Sequence, residues 1–328
     1  MSAVVVGPDT VEIQEAPIPK PGDGFLIKVN ACGVCGSDRR QVKSASTDVE
    51  KIIGHEVTGE IVDSPKGLES WTGEPVGLAP RISCGLCRPC RLGRTNLCEN
   101  VRTVGYQIPG GFAQFLQIPR QAAERGNLFR LPTGLDTFVA TLAEPLSCVV
   151  NGANLSGVAA DRSVMVVGAG PMGQMFVMLS RIVGAIPYVL EPDEARRNFA
   201  SKHGAEACFA SEEDLPQCDI WIIACSSPSA YRTALEYAPR GGVVNLFGGL
   251  PSGFMIDSNR IHYRELTVHG TSGSTPEQFG HALEILSREV RFSEIVTDVI
   301  SFEELPNVLR GEQGGGLELK QVLDPWLD

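Results

Sequence analysis

No stretch of this sequence stays apolar long enough to cross a bilayer, which takes about 20 residues. The richest region, 176–190, is cut by Arg181, Gly184 and Pro187. The first residues, Met-Ser-Ala-Val-Val-Val-Gly-Pro-Asp, lack the basic and apolar segments of a secretory signal, so a cytoplasmic protein is expected. There is no run of Lys or Arg, and the net charge is -11, which argues against nucleic acid or an anionic membrane surface as partner. Internal repeats, heptads and low-complexity tracts are absent too. What remains is a globular chain of 328 residues, 43% hydrophobic, long enough for two domains and suited to a small-molecule substrate.

Cysteine, by contrast, is present ten times. Without an export signal, so many thiols read as metal ligands and buried groups rather than a disulfide framework. Cys84, Cys87, Cys90 and Cys98 lie in CGLCRPCRLGRTNLC, three at every third position and the fourth eight residues on. One loop of that spacing can wrap a tetrahedral structural zinc, and Arg88, Arg91 and Arg94 can offset the charge of four thiolates. An iron–sulfur cluster is the alternative for four cysteines. The remaining Cys32, Cys148, Cys208, Cys218 and Cys225 show no partner pattern and read as buried thiols.

A second constellation is dispersed. Cys35 in CGVCGSD, His55 and Glu56 in GHE, and Glu144 in AEPL supply a thiolate, an imidazole and two carboxylates. A catalytic zinc keeps three protein ligands and one open position, which Cys35, His55 and one or both of Glu56 and Glu144 would provide. Ser37, two residues past the thiolate, is placed to relay a proton from a substrate hydroxyl. A cation stabilises an alkoxide, and hydride leaves an alkoxide carbon far more readily than an alcohol carbon.

The chain changes texture near residue 155. Before it, short β-type runs at 24–30, 57–62 and 111–118 alternate with turn-rich loops; after it, strands and helices alternate at 163–167, 172–183, 188–190 and 194–203. That is the βαβ signature of a doubly wound parallel sheet, with further strands expected at 219–224, 242–247 and 266–269. A helix at 276–287 and a strand and helix within 295–309 close the chain. The domains expected are 1–150, 151–270, and 271–328 returning to the first.

Gly168-Ala-Gly170-Pro-Met172-Gly173 follows an apolar strand and opens a helix, the context in which GxGxxG binds a dinucleotide. The glycines allow a tight turn and admit a diphosphate to a helix N-terminus. Glu191, 18 residues after Gly173, is placed to bind a ribose 2′-hydroxyl and favour NAD, whereas Arg196 beside it would lie over the adenine or admit NADP.

Together these residues resemble the zinc-containing medium-chain alcohol dehydrogenases, and the sorbitol and threonine dehydrogenase branch most closely. The likeness runs nearly end to end through GVCGSD at 33–38, GHEVTGEIV at 54–62, the four-cysteine loop, GGFAQF at 110–115, AEPLSC at 143–148, the glycine loop and ELTVHG at 265–270. The resemblance implies a GroES-like catalytic domain, split in sequence, beside a Rossmann domain with the active site between them, in a homodimer or homotetramer. It implies two zinc ions per chain: a catalytic one on Cys35 and His55, with Glu56 and Glu144 as exchanging acidic ligands, and a structural one on Cys84, Cys87, Cys90 and Cys98. It gives Gly168, Gly170, Met172, Gly173, Glu191 and Arg196 as cofactor contacts, with Gly248 and Thr271 toward the nicotinamide.

The implied reaction is hydride transfer between NAD and a small secondary alcohol, a polyol, amino alcohol or cyclitol, giving a ketone. The alternatives are a biosynthetic ketone reductase and an NAD-binding zinc protein of the same fold without dehydrogenase activity. Two departures stand out. Where many relatives place a relay histidine, five residues after the first zinc ligand, this chain has Arg40, preceded by Arg39, and a guanidinium cannot shuttle protons. The stretch 41–53 is also shorter than in typical relatives.

Overall fold

The computed structural model describes residues 1–7, 10–43, 51–250, 254–312 and 316–327. Most of the 41–53 stretch, at 44–50, therefore lies outside the described residues. The chain divides into two compact units, Met1–Ser147 with Ser274–Asp328, and Cys148–Gly273.

The first unit is built on a seven-stranded sheet whose centre is the long strand Gly24–Gly33. Its residues alternate: Phe25, Ile27, Val29 and Ala31 are buried, whereas Leu26, Lys28 and Asn30 are only half-covered. Each fully buried large apolar side chain of this kind contributes about 1.5–3 kcal/mol. Glu56–Asp63 pairs antiparallel along one edge of this strand, with an irregularity between Val29 and Ala31. Bulges of this type re-aim the chain beside functional sites, and here the bulge lies just before Cys32 and Cys35.

Lys320–Leu323 pairs antiparallel with the C-terminal end of the central strand, at Cys32 and Gly33, and Val296–Ile300 runs parallel to it. Thus the segment after residue 274 completes the sheet begun by the first 147 residues. Helix Gly36–Lys43 follows Cys35 directly.

The strand expected at 111–118 is shorter, Phe115–Pro119. The backbones of Gly111 and Phe112 donate to the carbonyls of Gly54 and Ile53. Side chains at Gly110 or Gly111 would collide with Ile53 and Val57. Those residues brace the loop that carries His55 instead of extending the sheet.

The second unit holds the expected doubly wound sheet. Six parallel strands lie in the order Ala207–Phe209, Ile186–Leu190, Ser163–Val167, Ile220–Ile223, Val243–Leu246 and Thr267–Gly270. Ile220–Ile223 is buried throughout, as a strand covered on both faces requires. Helices Pro171–Ile182, Glu194–Lys202, Pro228–Tyr237 and Ser258–Arg264 provide the connections. The strand order reverses beside Ser163–Val167, and ligands of open α/β sheets bind at the carboxyl ends of strands at such a switch point. Among the described residues, no helix is long and apolar enough to cross a membrane.

Candidate active site and metal centres

The four-cysteine loop folds back on itself through two left-handed glycines, Gly85 at φ 72° and Gly93 at φ 75°. A short helix, Arg88–Arg91, started by Pro89, lifts Cys90 toward Cys87, so that their sulfurs lie 3.3 Å apart. Cys87 and Cys98 sulfurs are 3.9 Å apart, and all four fall within 4.8 Å of one another. Sulfurs at the corners of a zinc tetrahedron, about 2.3 Å from the metal, would stand about 3.8 Å apart, so the group fits.

Backbone amides support the anionic form of these thiols. Leu86 and Cys87 donate to Cys84 Sγ at 3.5 and 3.4 Å, and Cys84 and Asn100 donate to Cys98 Sγ at 3.2 and 3.4 Å. The two amides on Cys84 bring its thiol down to about 6. Desolvation and the neighbouring Cys87 sulfur instead push Cys90 up to about 12.

The second group is assembled from two chain segments. Cys35 sits at the mouth of helix Gly36–Lys43, and His55 and Glu56 follow Gly54, whose φ of 95° and tight packing on Phe112 and Cys32 exclude any side chain. Donor atoms of Cys35, His55 and Glu56 lie within 4.8 Å of one another.

Asp38, fully buried, ties the first two together. Its Oδ2 accepts from the Cys35 amide at 2.9 Å, and its Oδ1 lies 3.1 Å from His55 Nδ1. That contact orients the imidazole so that Nε2 faces Ser37 Oγ, 3.5 Å away. Burial pushes the His55 imidazole down, but the Asp38 carboxylate more than offsets it, leaving it well above its ordinary range. A carboxylate behind a ligating histidine is the usual support of a metal site.

Glu56 is buried against Gly33, where any added side chain would displace its carboxylate. Lys320 reaches both of its oxygens, at 2.7 and 2.8 Å, and donates to the Val34 carbonyl at 3.1 Å. Desolvation lowers the affinity of this buried ammonium for its proton, but the charges of Glu56, Cys35 and Glu144 raise it further, so Lys320 remains a cation. Sequence reasoning missed Lys320, because nothing in GLELKQVL marks a strand lysine as the partner of a glutamate 264 residues earlier.

Glu144 occupies the first turn of helix Ala143–Ser156 and acts on Lys320 through its charge, but falls outside the Cys35, His55 and Glu56 group. Neighbouring Arg39 is engaged, its Nη2 donating to Gln321 Oε1 at 3.0 Å.

In the second unit, Gly168 ends strand Ser163–Val167 at φ 93°. A side chain at Gly173 would collide with the Gly168 carbonyl, whereas one at Gly170 would meet nothing within 4 Å. The loop is therefore tight where helix meets strand and open where a diphosphate would lie, with Pro171 and Met172 beginning the helix.

The Glu191 carboxylate accepts from the amides of Ala169 at 2.7 Å and Asp193 at 3.0 Å, which joins the loop to the end of the next strand. Arg196 lies in the first turn of helix Glu194–Lys202. Arg197, absent from the sequence reading, caps the carbonyls of Glu191 and Pro192. Gly248 and Thr271 follow the carboxyl ends of their strands. The Tyr231 hydroxyl donates to the Gly248 carbonyl, and Thr271 Oγ1 donates to Asn245 Oδ1 at 3.0 Å.

Comparison with known proteins agrees with both units. Residues 21–127 match the family described as "Alcohol dehydrogenase GroES-like domain", and residues 171–288 match "Zinc-binding dehydrogenase". The L-threonine 3-dehydrogenase of Pyrococcus furiosus is 34% identical over 282 residues, covering 80% of this chain and 79% of that protein. A zinc-type alcohol dehydrogenase-like protein of Haemophilus influenzae is 28% identical over 92% of each chain. Among solved structures, one described as a zinc-binding dehydrogenase from Sinorhizobium meliloti 1021, bound to NADP, superposes with a TM-score of 0.89 at 28% identity, covering 99% of each chain.

Proposed function

The chain belongs to the zinc-binding alcohol dehydrogenase family, and from that premise we propose that it oxidises a small secondary alcohol, a polyol, amino alcohol or cyclitol, to a ketone with NAD as hydride acceptor. The observation that carries this reading is the Cys35, His55 and Glu56 group, with Asp38 fixed behind the imidazole.

Cys35, His55 and Glu56 would hold a catalytic zinc, with Glu144 as the second acidic group, and Cys84, Cys87, Cys90 and Cys98 a structural one. When bound, the catalytic metal supplies Lewis acidity that eases deprotonation of an alcohol, and the nicotinamide supplies the hydride acceptor. The remaining work falls to the protein. Asp38 accepts from His55 Nδ1, which leaves the Nε2 lone pair to ligate the metal. Lys320 holds the Glu56 carboxylate in place through hydrogen bonds to both of its oxygens. Ser37 Oγ, beside His55 Nε2, receives the substrate proton and passes it to water.

The open face at Gly170 would accept the cofactor diphosphate, with Gly168 and Gly173 shaping the turn, Met172 beside it, and Gly248 and Thr271 toward the nicotinamide. Glu191 places a carboxylate where a 2′-phosphate would be repelled, which supports NAD over NADP, while Arg196 would line the adenine side. A homodimer or homotetramer is the assembly proposed.

The test is a panel of polyols, amino alcohols and cyclitols followed by NADH absorbance, together with zinc analysis and light scattering. Two zinc ions per chain and NAD reduction with a secondary alcohol are expected. One zinc ion and a silent panel would instead identify a binding protein of this fold, and faster turnover with NADP would overturn the cofactor assignment.

A further inference from the structure

The chain carries an excess of acid, yet among the described residues the helix that follows Cys35 is mostly basic. Helix Gly36–Lys43 holds Arg39, Arg40 and Lys43 against a single acid, Asp38, which is buried and engaged by His55 and the Cys35 amide. Arg39 is held by Gln321. Arg40 is exposed and, among the described residues, has no hydrogen bond or ion pair.

Its guanidinium folds back along the helix, with Nη1 3.8 Å from where a side chain on Gly36 would begin, next to Cys35. That places a cation over the positive end of the helix dipole, an arrangement that becomes favourable when an anion sits between them. Across the rim, Lys51 is braced by Gln41 at 2.7 Å and lies 6.0 Å from the ring of Tyr106. The Tyr106 ring is 5.9 Å from that of His55 and 39% exposed. The inner carboxylates are already partnered, Glu56 by Lys320 and Asp38 by His55 and the Cys35 amide, so Arg40 is not needed to neutralise them.

We propose that the substrate is an anionic alcohol, a hydroxyl-bearing carboxylate or phosphate, whose acidic group is held by Arg40 at the rim of the Cys35 and His55 centre. This rests on the dehydrogenase reading and narrows its substrate class. A guanidinium pairs with a carboxylate or phosphate through two parallel hydrogen bonds, which fixes the orientation of the rest of the molecule. Lys51 adds a second positive charge to the approach, and the effect of both falls with salt.

The experiment compares sorbitol, gluconate and sorbitol 6-phosphate with the zinc-loaded enzyme, by kcat/KM with NAD and by calorimetric binding in the presence of NADH. It uses the native protein, Arg40→Gln and Arg40→Lys. One of the two anions should exceed sorbitol about tenfold or more, a margin typical of a charge-assisted pair, and the margin should shrink at high salt. Arg40→Gln should collapse it, and Arg40→Lys should recover part of it.

An anion-to-neutral ratio that is unity in the native protein, or unchanged in Arg40→Gln, would overturn the proposal. A rise in the KM for NAD in place of a change in that ratio would reassign Arg40 to the cofactor diphosphate and overturn it equally. Failure to turn over any compound, with Arg40-dependent binding of gluconate intact, would sink the dehydrogenase reading and leave the anion site standing. Ready oxidation of sorbitol with no effect of Arg40 would do the reverse.

Discussion

Lys320 shows how much of a site can depend on one side chain outside every motif. Its ammonium lies 2.7 Å from Glu56 with both partners buried, so removing it strands a carboxylate in the interior. Breaking a buried pair from one side costs about 3–5 kcal/mol. Lys320→Met should therefore lower the unfolding free energy of the zinc-depleted protein by about that amount in a denaturant titration. The double variant with Glu56→Gln should recover most of the loss, because no uncompensated charge remains. Cys35, His55 and the four cysteines of the loop were legible in the sequence because metal chemistry limits their residue types and spacing. The grip of Asp38 on His55 was not, since an aspartate in a GSD turn reads equally well as a helix cap.

At the scale of elements, the glycine loop separates backbone shape from ligand room. Gly173 is pressed against the Gly168 carbonyl and Gly170 faces open space. Gly173→Ala should destabilise the fold and weaken NAD binding together. Gly170→Ala should leave the melting temperature nearly unchanged while weakening NAD in a fluorescence titration.

Strand pairing has its own electrostatic clasp. Asp219, just before Ile220–Ile223, accepts from the amide and hydroxyl of Ser163 at 2.9 and 2.8 Å. Those bonds, aided by Arg162, hold the Asp219 carboxyl below its usual range. A depressed carboxyl stabilises the fold above the unfolded value, about 3.9, and loses that contribution as pH falls through the folded value. Asp219→Asn should thus flatten part of the acid limb of stability below about pH 4. The parallel strands were legible because buried strands read as short apolar runs between helices. The strand expected at 111–118 was misjudged at its start because its backbone bonds go to the loop before His55, which no local pattern records.

For the whole molecule, the two thiol-bearing centres differ in how they are enclosed. The four-cysteine loop lies within residues 84–98, whereas the Cys35 group draws on segments that include Lys320. Chelation should therefore act in two stages. Activity should go first, as the open centre loses its ion, and the melting temperature should drop later, when the closed four-thiolate centre empties. A single stage, with activity and thermal stability lost together, would contradict two independent zinc sites. The expectation that the chain returns to its first unit rested on the end of the strand and helix alternation near 270. The pairing of Lys320–Leu323 with Gly24–Gly33 was not legible, because register between strands so distant leaves no trace in either one.

That pairing also sets a clock on biosynthesis. Glu56 and its strand leave the ribosome early, but the counter-charge for Glu56 is made only after the entire second unit has been translated. Until then the nascent first unit carries an acidic group it cannot bury at low cost and a sheet lacking its partner strand. A chain that stops before residue 320 lacks both the strand that completes this sheet and the counter-charge of Glu56.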